Sequence, residues 1–524
     1  PSPSVNPPEN PYLIGVGRAD CTGPVADLPM TGYANTEQTV RGIHTRLFSR
    51  AFIVDDGSKR VVFITADIGM VSQRLRLEVA HTLFWVSSSV VMGKVYIKHF
   101  SYNSTWGFIG YVSALSWFAV SDNLGYASYA FEQEKNIGFL PGEGPFVAGF
   151  SSSNLGDSSP NIRGPVCVNT GEKCDYLNSS CPIGGKKACI AFGPGEDVFE
   201  STRIIGKNMS KKAKELYSSA KQELHGPVYG AHQWVNMTDE THTGRTCKPA
   251  LGHSFAAGTT DGGGEFNFIQ GDTDGDPFWD GIRDAVLGPP SNETTACHQP
   301  KPILFSTGEM DSPLPWHPAT VDVQIITIGS LAIVAVPGEF TTMSGRRIRE
   351  AVKESFANAV VVVAGLCNIY THYITTYEEY QIQRYEGAST IYGPHTLSAY
   401  IQRYRGLARA IAHETIGELP KGPEPPFFDE DKFFNQVKDP VADVASADTT
   451  FGDVLQQVNP VYKVVGLAGR CQSKVEWHIP LTAQTGTYWI QHFGHYNQFT
   501  DNNTITPYVG TSDAFKVTRS FYYY

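Results

Sequence analysis

An α+β fold, with a large mixed α/β domain followed by a small β domain, is what this sequence predicts. Three observations predict it. Short apolar runs of strand character alternate with segments of helical periodicity over residues 1–420. The run Gly422-Pro423-Glu424-Pro425-Pro426 then breaks the pattern, and a polar, acidic stretch follows. Beyond residue 450 the alternation is that of sandwich strands, with no helix signal. The boundaries drawn are 1–420, a Pro-rich and acidic linker at 421–450, and an incomplete β domain at 451–524.

The elements follow in chain order. Arg60 to Thr65 reads as a buried strand, and so does the apolar run Phe146 to Phe150. Ile205, Met209, Ala213, Leu216, Ala220 and Leu224 recur at helical spacing, with Gly226 as a stop. Val321-Asp322-Val323-Gln324-Ile325 alternates, and Leu331 to Val336 follows, so a hairpin is expected across Gly329-Ser330. A helix is expected over 344–356 with Ile348, Val352 and Phe356 on one face, then a buried strand at Val360 to Ala364. Leu397, Ile401, Tyr404, Ala408 and Ile411 predict a third helix. In the tail, Val475 to Ile479 and Thr487 to Phe493 alternate as strands.

Bulk composition excludes several classes. The chain has 524 residues, enough for two domains, with 41 basic and 52 acidic side chains. A net charge of -11 offers no footprint for nucleic acid. The longest apolar run, Leu83 to Met92, is broken by three serines and falls short of the roughly 20 residues that span a bilayer. Pro1-Ser2-Pro3-Ser4 has no signal-peptide character, so a leader has been processed away or an anchor lies outside this chain.

Two signals point outside the cell. Sequons occur at Asn103, Asn178, Asn208, Asn236, Asn292 and Asn502. Four of the nine cysteines, Cys167, Cys174, Cys181 and Cys189, sit in a Gly/Asn/Pro/Ser-rich loop at spacings that do not suit zinc. Such a loop needs stapling, which implies disulfides and an oxidising compartment. Cys247 and Cys297 offer a further bridge, whereas Cys21, Cys367 and Cys471 have no evident partners.

Three stretches carry candidate chemistry. Gly156-Asp157-Ser158-Ser159-Pro160-Asn161 displays a hydroxyl on a turn with a carboxylate two residues away, an arrangement that suits a reactive serine and equally an ordinary loop. Glu339, after the run Leu331 to Val336, is placed to ligate a metal or act as a base; the alternative is an acid ahead of the 344–356 helix. The segment 370–380 holds four tyrosines, a histidine and two glutamates, with Tyr385 and Tyr392 beyond, for substrate recognition or for plain aromatic packing. Asp272 to Asp276 opens like a calcium loop, but Pro277 and Arg283 replace the required glycine and glutamate, leaving a solvated acidic turn. Gly262-Gly263-Gly264 lacks the lysine of a phosphate loop and reads as flexible.

Together these stretches resemble the neutral/alkaline non-lysosomal ceramidase family, in a vertebrate-like form. The resemblance rests on Tyr12 to Asp20, Arg41 to Leu47, the hexapeptide 156–161, Pro337 to Phe340 and Thr371 to Pro394. It spans most of 11–82 and 122–427 and is patchier in the tail. It implies a hydrolase that cleaves the amide of ceramide (N-acylsphingosine) with one zinc ion (Zn2+), at a membrane surface outside the cell. It implies Glu339 and Tyr373 as zinc ligands, Ser159 as the catalytic serine with Asp157 beside it, and Tyr385 at the amide carbonyl. It implies the crossed bridges Cys167–Cys181 and Cys174–Cys189, the bridge Cys247–Cys297, and an immunoglobulin-like tail.

The departures are specific. The family's two zinc-binding histidines lie in His-Thr-His-Ser-Gly-Pro-Gly-Gly and Phe-Ala-Ile-His-Pro-Val-Ser-Met motifs, and this chain has neither. Around the second it reads Trp117-Phe118-Ala119-Val120-Ser121-Asp122-Asn123, and His99 lies in a region far shorter than the family's. One reading is a sequence interrupted or misread there, which the run Leu83 to Val90 and Tyr522-Tyr523-Tyr524 favour. The other is an inactive relative that binds lipid or a protein. A metal-free serine hydrolase would need a histidine base near Ser159.

Overall fold

The computed structural model describes residues 12–22, 26–29, 39–41, 45–83, 89–94, 122–221, 223–240, 244–264, 266–311, 314–356, 358–428, 458–465, 470–477, 485–489, 491–498 and 504–517. Asn103, Asn502, His99, Trp117 to Ser121 and linker residues 429–450 lie outside them.

Two four-stranded sheets organise the chain. The first comprises β1 (Leu13–Asp20), β2 (Phe48–Asp55), β3 (Arg60–Ala66) and β4 (Ser89–Lys94), in that spatial order. Its first three strands are antiparallel, and β4 runs parallel to β3. The second is built from β5 (Val228–Asn236), β6 (Thr320–Ile328), β7 (Leu331–Ala335) and, further on, β9 (Val360–Ala364), in the order β9-β7-β6-β5. Between β7 and β9 lies the short β8 (Glu339–Phe340), which pairs with β10 (Tyr373–Ile374). The β6–β7 hairpin turns at Gly329-Ser330, as its alternation predicts; Gly329 has φ 53°, and a Cβ there would lie 2.3 Å from the His225 carbonyl oxygen.

The two sheets share a buried cluster of Val61, Val228, Ile326, Ala335, Ala364 and Cys367. On its other face the second sheet packs Val321, Val323 and Ile325 against helices. Helices among the described residues include α1 (Gln73–Leu83), α2 (Asp122–Lys135), α3 (Val198–Ser219), α4 (Pro277–Leu287), α5 (Thr342–Lys353), α6 (Tyr377–Ile382), α7 (Tyr385–Ala388) and α8 (Thr396–Ala412). Ile348 and Val352 of α5 and Leu397, Tyr404, Ala408 and Ile411 of α8 enter that core, the faces their spacing predicts. Being covered on both sides, β6 buries its polar residues too: Asp322 pairs with Arg76 (2.9 Å) and His232 (2.9 Å), and Gln324 accepts from Asn368.

A charged network locks α2 to the first sheet. Arg50 on β2 is 1% exposed and bonds both Asp67 (3.2 Å) and Glu132 (3.0 Å), while Arg18 reaches Glu132 at 3.0 Å. Glu132 also accepts from the Ala148 amide, and Asn136 exchanges two hydrogen bonds with Phe146. Side chains therefore take the ladder bonds that 146–150 would need as a strand, and it is not one.

Four further expectations are corrected. The helix predicted over 205–224 runs from 198 to 219, begun by Asp197, whose carboxylate accepts from the Glu200 amide. It buries Ser201, Thr202, Gly206 and Ser210 and leaves Met209 and Leu216 exposed. The reason is close approach to α2: a Cβ on Gly206 would lie 2.6 Å from the Asn123 carbonyl. Strand β9 is half exposed through Val360 and Val362 because it forms a sheet edge. Asp276 caps α4 through the Phe278 and Trp279 amides instead of standing in solvent. Gly262 to Gly264 are held tightly: Gly262 and Gly263 pair with Thr259 and Gly258, and a Cβ on Gly264 would fall 1.8 Å from the Ala256 carbonyl oxygen.

Cys167 is joined to Cys181, Cys174 to Cys189 and Cys247 to Cys297. In the tail, 458–465 pairs with 470–477, 491–498 with 504–511 and 486–488 with 515–517, all antiparallel.

Candidate active site

Glu339 and Tyr373 face each other in register across the parallel β8–β10 pair. The pairing is fixed by the Glu339 amide donating to the His372 carbonyl (2.8 Å) and the Thr341 amide to that of Ile374 (3.1 Å). Gly338 permits it, since a Cβ there would lie 2.6 Å from the His372 carbonyl oxygen. The loop into β10 holds Leu366, Asn368 and His372 at φ 57°, 65° and 58°, a conformation that side chains resist and that collects at functional sites. Both Glu339 and Tyr373 are 1% exposed. The Tyr370 phenol donates to Glu339 Oε1 at 2.9 Å and so fixes the carboxylate. His372 Nε2 lies 2.7 Å from His317 Nε2, and burial, then Lys301, pushes His317 down to about 4.

Tyr385 opens the single turn α7. Its ring stands edge-on to Tyr373 (centroids 5.4 Å apart) and stacks on Phe255, and its amide donates to Gln270 Oε1 at 2.8 Å. The next residue, Glu386, escaped the sequence reading. Burial first, and then the charges of Asp157 and Glu339, push its carboxyl up to about 7, against the opposing pull of Arg384 and a backbone hydrogen bond. Three carboxyl groups thus converge on this corner, where a cation would relieve their repulsion.

The hexapeptide meets the same strand. The Gly156 amide donates to the Phe340 carbonyl at 2.9 Å, and any Cβ at 156 would press on the Glu339 carbonyl at 2.7 Å. Asp157 turns away from Ser159: its Oδ1 accepts from the Thr342 amide (2.7 Å) and hydroxyl (2.8 Å). The acid at the start of α5 is therefore Asp157, and Glu339 is left on the strand. Ser159 is exposed; its Oγ accepts from the Asn161 amide at 3.0 Å and hydrogen-bonds the Asp261 carboxyl, which also bonds the Asn161 side chain. Asp261 is 8% exposed, and burial pushes it up to about 6 against those two hydrogen bonds. An acid directly before Gly262-Gly263-Gly264 was the signal that would have found it.

Glu339, Tyr373 and Tyr385 are thus brought together, and Gly156 and Asp157 moor the serine loop to β8 and α5. Glu339 and Tyr373 suit two positions of a zinc site, and Tyr370 orients the first. They do not complete one, because a catalytic zinc takes three protein ligands. Among the described residues the three-donor cluster is Cys167, Cys174 and Cys181, whose sulfurs are bound in disulfides.

Comparison with known proteins gives a consistent set of likenesses. The neutral/alkaline non-lysosomal ceramidase N-terminal family matches residues 12–99 and 114–402, and its C-terminal counterpart matches 463–517. A neutral ceramidase of Drosophila melanogaster is 36% identical over 580 aligned positions, covering 86% of this chain and 81% of the relative. Neutral ceramidase B of Dictyostelium discoideum is 36% identical over 575, covering 86% and 79%. A solved structure, "Ceramidase complexed with C2", superposes with a TM-score of 0.72 at 24% identity, over 97% of this chain and 99% of that one, which is a likeness of fold. Since 86% of 524 residues is about 450, about 130 of the 580 positions hold residues in the fly relative and none here. The match to the N-terminal family breaks at 100–113, within the region where both histidine motifs are missing.

Proposed function

We propose, because this chain belongs to the neutral/alkaline non-lysosomal ceramidase family, that it hydrolyses the amide of N-acylsphingosine to sphingosine and a free fatty acid. One observation carries the reading beyond the family: Glu339 and Tyr373 lie in register on paired strands, with the Tyr385 ring against Tyr373. We extend it to zinc. Glu339 and Tyr373 would hold the ion together with donors outside the described residues. Bound zinc would polarise the amide carbonyl and acidify a water.

The chain's own groups have separable tasks. Tyr370 keeps the Glu339 carboxylate aligned. Tyr385 addresses the amide carbonyl with its phenol. Ser159 presents its hydroxyl from a loop that Gly156 and Asp157 fix to β8 and α5. The test is sphingosine release before and after dialysis against a chelator. Loss on dialysis and recovery with added zinc supports the reading; activity indifferent to the chelator removes zinc from it.

The site of action we propose is the outer face of the plasma membrane or the extracellular space, with the 1–420, 421–450 and 451–524 division and an immunoglobulin-like tail. No helix among the described residues is long and apolar enough to cross a membrane. Asn208, Asn236 and Asn292 are exposed, and Asn178 is half-buried beside the disulfide-stapled loop. Peptide N-glycosidase is expected to reduce the mass of the secreted protein, with deamidation at those asparagines. An unchanged mass would contradict the secretory route.

A further inference from the structure

His372 holds a backbone conformation that its side chain resists, and the Glu339–Tyr373 pairing depends on it. Its φ of 58° lies in the left-handed region, where a Cβ crowds the following carbonyl and only glycine is at ease. This turn brings the His372 carbonyl to the Glu339 amide (2.8 Å) and delivers Tyr373 into register with Glu339. An extended backbone at 372 would point that carbonyl away from β8. Tyr373 is therefore only as well placed as the backbone of its neighbour.

A ring-to-ring hydrogen bond holds the turn. His372 Nε2 and His317 Nε2 lie 2.7 Å apart, with the rings at 90° and their centroids 4.5 Å apart. Of two neutral imidazoles one nitrogen donates and the other accepts, so the bond fixes both rings. His317 is anchored in turn. Its Nδ1 lies 2.6 Å from the Thr307 hydroxyl, and the buried Tyr392 phenol donates to the Pro318 carbonyl at 2.6 Å. The Met237 amide donates to the Ala319 carbonyl at 2.9 Å, and β6 begins at Thr320. The anchor thus belongs to the central sheet.

The His372 ring also stands against Tyr370 (centroids 5.0 Å apart) and Phe255 (6.0 Å). Tyr370 is the donor to Glu339 Oε1, so the held ring backs the phenol that fixes the carboxylate. The other left-handed residues of this loop have tethers of their own. Leu366 packs on Leu155, and Asn368 donates to Gln324 Oε1 at 3.1 Å.

We propose that His317 is a positioning residue: its ring hydrogen bond holds His372 in the left-handed turn and so keeps Tyr373 opposite Glu339. The inference rests on the ceramidase reading and deepens it. Neither imidazole takes part in a bond-making step. His317 acts through the backbone at 372, and the His372 ring is the handle by which it does so. Glycine at that position would hold the turn without a handle.

The test is a double-mutant cycle in the full chain, with His317→Ala and His372→Gly made singly and together. Sphingosine release from N-acylsphingosine and melting temperature are measured for each protein beside the wild type. His317→Ala is expected to lower kcat on the order of ten- to a hundredfold. His372→Gly should stay within about threefold of the wild type, because glycine takes up the turn unaided. In that background His317→Ala should cost less than about twofold. The fall in melting temperature on His317→Ala should likewise be smaller beside His372→Gly than without it.

A merely structural His317 would give equal losses in both backgrounds, and that result would overturn the proposal. So would full activity in His317→Ala. An inactive His372→Gly would overturn it too, by giving the ring a role of its own. If His317→Ala does not fold, His317→Leu, which keeps the volume, takes its place in the cycle; failure of both to fold counts against the proposal. A wild type that releases no sphingosine overturns the ceramidase reading and this inference with it. Equal losses in a chain that does turn over overturn the inference alone.

Discussion

If the proposed zinc-dependent function holds, Glu339→Gln is expected to lower kcat on N-acylsphingosine by on the order of a thousandfold or more and to lower the zinc content, while the fold survives. The two halves of this expectation rest on different observations. Glutamine fills the same volume on β8, and its amide oxygen still accepts from the Tyr370 phenol, so a site 1% exposed is neither emptied nor strained. What is lost is one negative charge at the corner where Asp157 and Glu386 also act. A neutral amide oxygen is a poor replacement for a carboxylate on a divalent cation. Metal content by mass spectrometry, circular dichroism and steady-state kinetics separate the effects. Tyr370→Phe, which removes only the orienting hydrogen bond, is expected to lose about ten- to a hundredfold. A Glu339→Gln protein with wild-type turnover would take Glu339 out of the site.

Arg50→Met is expected to be the most damaging change outside the site, destabilising the folded chain by about 3–5 kcal/mol. The guanidinium lies between Asp67 and Glu132, and all three side chains are at most 3% exposed. Removing it leaves Asp67 without its guanidinium and Glu132 with Arg18 alone, where water cannot reach them. Desolvation already raises Asp67, and Arg50 is the largest opposing influence. The consequences spread, because Glu132 holds the Ala148 amide and Arg18 at the approach to the serine loop. Thermal unfolding should begin about 3–5 °C lower. Arg405→Ala provides the contrast: its partner Glu354 is exposed, and solvent screens the pair, so its loss should leave stability nearly unchanged. Equal effects of the two substitutions would show that the buried network does not hold the fold together.

The parts of this architecture legible in the sequence are those where one local signal decides. The β6–β7 hairpin has strand alternation and a Gly-Ser turn, and α5 and α8 have apolar residues at clean helical spacing. The helix at 198–219 shows the limit. Its period is visible, but which side is buried depends on how closely α2 approaches, and small residues win that contact over Met209 and Leu216. The run 146–150 has strand composition and no strand, because Glu132, Asn136 and Arg18 satisfy its backbone from other elements.

The site divides in the same way. Glu339, Tyr373, Ser159 and Tyr385 were reachable through motifs, since each stands in a long and improbable stretch. The juxtaposition of Glu339 and Tyr373 was not, because it depends on a two-residue parallel pairing between segments more than thirty positions apart. Asp157 stands beside Ser159 in the sequence and is turned by the fold to the amide and hydroxyl of Thr342 on α5. Asp261 and Glu386 stayed hidden because an isolated acid becomes informative only when its burial is known.

Product analysis with the purified chain and N-acylsphingosine tests the central claim most directly. Sphingosine and free fatty acid should appear in equal amounts, linearly with enzyme, and disappear with Glu339→Gln. Intact substrate after prolonged incubation with zinc-replete, folded protein would contradict the assignment of this chain as a ceramide amidohydrolase.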